Sequence, residues 1–111
     1  MELKKYEFNK PQHRPFIYAS FVSTIDGKII VKAPGYWPIG SKNDYTFFTH
    51  LRAHADVIVD GKNTAMMFGK KTIETITSAS FKEQRTALGK KKDAEYVVVT
   101  SKPDTDLLQQ F

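Results

Sequence analysis

Apolar positions fall in short bursts separated by polar turns, and the spacing within each burst sets the element it predicts. Residues 16–22, "FIYASFV", are aromatic and β-branched and stop at the turn-like "STIDGK", which predicts a first strand. A β-hairpin through "IDG" into "KIIV" is an equal alternative for Asp26 and Gly27. Then Phe47, Phe48, Leu51 and Ala55 recur at helical spacing behind Ser41, with Asp44 three residues on, as in a capping box. "DVIVD" predicts a short buried strand, and Gly61 a turn into a helical stretch near Thr64 to Phe68.

Farther along, "KTIETITS" reads as a strand or an extended connection. Ser80 and Glu83 form a second candidate capping box, ahead of a short helix "FKEQRTALG" closed by Gly89. "EYVVVT" predicts a third buried strand, and Asp104 or Thr105 caps a final helix after Pro103. Strands alternating with helices point to an α/β fold, a mostly parallel sheet flanked by helices. Residues 1–14 form a polar arm, and 15–111 one domain.

Composition narrows the chemistry. The chain has 111 residues, 41% hydrophobic and 26% charged, which suffices for a core in a single domain. The absence of cysteine excludes disulfides and thiolate catalysis, and no stretch reads as a signal peptide or a membrane span, so a cytoplasmic setting is expected. A net charge of +5 suits an anionic partner. Lys90 to Lys92 read as a solvated connector without interleaved aromatics, weak support for nucleic acid. His50 and His54 have a metal-compatible spacing, but Leu51 stands where HExxH has glutamate and no third ligand is evident.

In parallel sheets, ligands bind beyond the carboxyl ends of strands. Two segments belong there. In "DGKNT", Gly61 allows a turn, Lys62 carries a charge, and Thr64 either caps the following helix or donates to a phosphate oxygen; an ordinary strand-to-helix turn fits as well. "TSK", Thr100 to Lys102, offers two hydroxyls and an ammonium, a set that suits a phosphate monoester or simply a polar strand end. A P-loop is excluded, because Gly69, Lys70 and Thr72 do not form GxxxxGK[ST]. Asp44 has two readings, a cap partner or a carboxylate anchoring a heterocycle; Arg52 is a solvated or ion-paired helix residue or an anion ligand.

Taken in order, "YASFVSTIDGKI", "FFTHLRAHADVIVDGKNT" and "EQRTALGKKKDAEYVVVTSKPDTDLLQQF" resemble the reductase domain of riboflavin biosynthesis, in the dihydrofolate-reductase-like superfamily. The resemblance runs from about Arg14 to the last residue. It implies NADPH-dependent reduction of a ribosylamino-pyrimidine such as 5-amino-6-(5-phosphoribosylamino)uracil, and a homodimer in the complete protein. Val22 would border the nicotinamide, Gly61, Lys62 and Thr64 would hold the cofactor phosphates, and Thr100, Ser101 and Lys102 would meet the 2′-phosphate. Asp44 and Arg52 would face the substrate, and Asp26 or Asp44 would orient a proton-donating water. In the family a glycine-rich loop and further strands complete the cofactor site, so the chain is expected to be the N-terminal part of a longer domain. A non-catalytic nucleotide-binding module of the same fold, or a basic nucleic-acid-binding domain, are the alternatives.

Overall fold

The computed structural model describes residues 4–28, 40–103 and 105–109. They divide into two compact units, 1–48 and 49–111. Helix α1 is Lys42–Ala53, β1 Val57–Gly61, α2 Lys62–Ile76, α3 Ala79–Ala87, β2 Glu95–Val99 and α4 Thr105–Gln109.

The first unit has no strand among its described residues, which corrects the expectation for Phe16–Val22. The aromatic side chains there pack locally: Phe8 stacks on Tyr18 at 5.1 Å between ring centroids and lies 5.3 Å from Phe16. Ile17 and Phe21 remain 84% and 83% exposed. β propensity measures fit to a pleated neighbour, and with no ladder partner among the described residues this segment forms no regular strand. The "STIDGK" break is a turn, with the Thr24 N–H donating to the Lys28 carbonyl at 2.8 Å and Gly27 at φ +84°. The hairpin reading needs residues 29–32, which lie outside the described set. At the start of α1 the Asp44 N–H donates to Ser41 Oγ at 3.1 Å, the bond expected of a helix cap.

The second unit is a β-α-α-β crossover. β1 and β2 pair in parallel, Val57 opposite Glu95 and Gly61 opposite Val99, in a two-stranded sheet. The parallel part of the α/β expectation therefore holds. Ile58 packs with Ala53, Ile76 and Phe81 into a core flanked by Ala55, Leu88, Ala94 and Tyr96, so α2, with Phe81 of α3 and the last residue of α1, covers one sheet face. The opposite face, Val57, Val59, Val97 and Val99, is exposed, and "EYVVV" is not the buried strand its composition implies. Helices from one crossover shield only one side of the ladder, and period-2 alternation puts these valines on the other.

Helix α2 is far longer than expected and takes in most of "KTIETITS". Its buried positions Ala65, Gly69, Thr72 and Ile76 form one stripe at helical spacing, and this tertiary contact overrides the β-branched character of Thr72, Ile73, Thr75 and Ile76. The next helix is capped by Ser78, whose Oγ accepts from the Phe81 N–H at 3.2 Å, in place of the expected Ser80 and Glu83 box. Ser78→Ala is expected to lower stability by about 1 kcal/mol in urea unfolding, while Ser80→Ala, inside the helix, should have almost no effect. Gly89, at φ +74°, ends α3 as expected. Gly89→Ala places a Cβ in the left-handed region, and a loss of about 1 kcal/mol should appear in the same measurement. At the C-terminal end Thr105 is the first residue of α4, and Asp104 lies outside the described residues.

Candidate functional site

Parallel pairing sets the geometry of the strand ends. Because Gly61 lies opposite Val99, Lys62 and Thr100 leave the sheet side by side at one rim. The two segments singled out in the sequence, "DGKNT" and "TSK", are therefore neighbours in space.

Gly61 is the N-cap of α2, at φ −74° and ψ 161°, and no side chain caps the helix. Thr64 thus does not cap; it sits exposed in the first turn. The first-turn N–H groups of a helix have no intrahelical acceptor, and the positive end of the helix dipole lies with them. Gly61 itself needs no left-handed backbone, and a Cβ there would meet nothing within 4 Å. Neither the turn nor packing requires glycine at this position, a correction to its role as a turn residue.

On the second strand end, the Thr100 hydroxyl accepts from the Lys102 N–H at 3.2 Å and donates to the Lys102 carbonyl at 3.1 Å. That hydroxyl shapes the turn around Ser101. Ser101 and Lys102 are exposed at the same rim.

Val22, Asp26 and Asp44 belong to the first unit, and Arg52 to the second. Asp26 accepts from the Thr24 hydroxyl and pairs with Lys28 Nζ at 3.2 Å. The Thr24 hydroxyl, and after it Lys28, hold the Asp26 carboxyl below its ordinary value, so it is an anion at neutral pH, with no proton to donate, and accepts hydrogen bonds. The Asp44 carboxylate folds back over Gly40, where an added Cβ would collide with it, while its backbone serves the Ser41 cap.

Arg52, on the last turn of α1, is close enough to Tyr96 for its charge to favour the phenolate. Burial opposes this more strongly, and the Tyr96 hydroxyl donates to Asp60 Oδ2 at 2.9 Å; both raise the phenol above its ordinary value. Sequence reasoning missed Asp60 and Tyr96. The available signal was parity: Asp60 shares the packed face of β1 with Ile58, and an acid on that face needs a donor, which Tyr96 supplies from the partner strand.

His50 and His54 turn into the core. His54 Nδ1 donates to the His50 carbonyl at 2.9 Å, His50 Nδ1 lies 3.4 Å from Gln84 Oε1, and the rings meet edge to face at 4.8 Å. Among the described residues no group of three or more His, Cys, Asp or Glu side chains is placed to hold a metal. Nor, among the described residues, is any helix long and apolar enough to cross a membrane. Lys90 pairs with Asp56 at 3.1 Å and Lys82 with Asp93 at 3.2 Å, so part of the basic charge on and beyond α3 is answered by nearby carboxylates.

Comparison of the chain with known protein families, curated proteins and solved structures finds no match.

Proposed function

We propose that the chain is a dihydrofolate-reductase-like domain that binds NADPH at the rim of its parallel sheet, in a reductase acting on a pyrimidine. The observation that carries this reading is the register of β1 and β2, which sets the uncapped N-terminus of α2 and Lys62 beside Thr100, Ser101 and Lys102. Two cationic side chains and a helix dipole at one rim form an electrostatic cradle for a dinucleotide's phosphates. The open space over Gly61 supports it further, since a glycine that the fold does not need suits close approach of a ligand to the backbone. When bound, NADPH supplies the hydride, and the chain's residues hold and orient it.

In this reading Arg52, in the second unit with the rim, faces the heterocycle, and the protein acts as a homodimer. A second reading, a nucleotide-binding module without turnover, is favoured by the carboxylates: Asp26 is engaged by Thr24 and Lys28, and Asp44 is folded over Gly40.

Titration of the protein with NADPH, followed by nicotinamide fluorescence, tests both. Saturable binding is expected. Lys62→Ala and Lys102→Ala should each weaken it about tenfold, which corresponds to about 1.4 kcal/mol. Gly61→Ala should leave unfolding midpoints unchanged or slightly higher while also weakening NADPH. Binding by the wild type that none of the three variants alters would remove the rim from the proposal. No saturable binding, together with salt-sensitive retention of an oligonucleotide, would favour the nucleic-acid alternative. Binding without reduction of any aminopyrimidine offered would select the module.

A further inference from the structure

We draw no further inference here: the strongest candidate, the exposed valine face of the two-stranded sheet formed by Val57, Val59, Val97 and Val99, carries nothing because no feature of the structure shows what covers it.

Discussion

Arg85→Met is expected to cost about 3–5 kcal/mol, enough to leave much of the second unit unfolded at 25 °C. Arg85 is only 1% exposed, yet its hydrogen bonds go to backbone carbonyls. Nη1 donates to Ala53 O at 3.1 Å and to Ala55 O, Nε to Lys91 O at 2.7 Å, and Nη2 to Asp93 O at 3.5 Å. The guanidinium therefore caps the C-terminal end of α1 from within and ties it to the connection that feeds β2. Three features make the substitution severe. The carbonyl of Ala53, the last residue of α1, has no intrahelical donor, so removing the guanidinium takes the donor from this buried carbonyl and from the part-buried one of Ala55. The helix C-terminus also loses the cation that its dipole favours. Methionine fills similar volume but restores no donor. Arg85→Lys keeps the charge but offers no planar fork, and should recover only part of the loss. Urea unfolding followed by far-UV circular dichroism measures all of this, with Glu83→Gln, on an exposed position of the same helix, as a control within about 0.5 kcal/mol of wild type. A change for Arg85→Met no larger than that control would mean the clamp does not support the fold.

That clamp was not legible in the sequence, and the reason is general. An arginine in the short polar helix "FKEQRTALG" reads as solvated, and its acceptors are main-chain carbonyls, two of them far along the chain, that leave no side-chain signature. What local chemistry dictates was legible: the Ser41 cap, the Gly89 stop, strands at "DVIVD" and "EYVVVT" to within a residue, and, once these pair, the nearness of Lys62 to the Thr100 turn. Where a local preference met a tertiary one, the tertiary one prevailed. Thr72, Ile73, Thr75 and Ile76 favour a strand, but the stripe of Ala65, Gly69, Thr72 and Ile76 gives α2 a face narrow enough to lie closely on its neighbours. Phe16–Val22 shows the converse, a segment with strand composition and no strand among the described residues of its unit. The exposed valines follow from the same shortage of partners. Parallel sheets are ordinarily covered on both faces, and here helices cover one. At the rim the structure narrows three of the readings: Gly61 is not a forced turn, Thr64 does not occupy the cap position, and the Thr100 hydroxyl is engaged in its own turn.

The contrast between the two sheet faces yields the second large effect. Phe81→Ala is expected to lose about 3–5 kcal/mol, because it removes most of a side chain that is 1% exposed and leaves a cavity that Ile58, Ile76 and Ala53 can only partly close. Phe81→Leu keeps more of the volume and should cost less than about 1.5 kcal/mol. On the other face Val59→Thr, at a side chain 57% exposed, is expected to change stability by no more than about 0.5 kcal/mol, since little apolar area leaves water there on folding. Thermal and urea unfolding of the three variants separate these cases. Ile58 and Phe81 share the same cavity walls, so the double variant Ile58→Val with Phe81→Leu should deviate from additivity by about 0.5 kcal/mol or more. Strict additivity would show the two side chains to be energetically independent. A loss at Val59→Thr as large as at Phe81→Ala would reverse the assignment of faces: the valines would be the buried side of the sheet in solution, and the α1, α2 and α3 side would not be its only core.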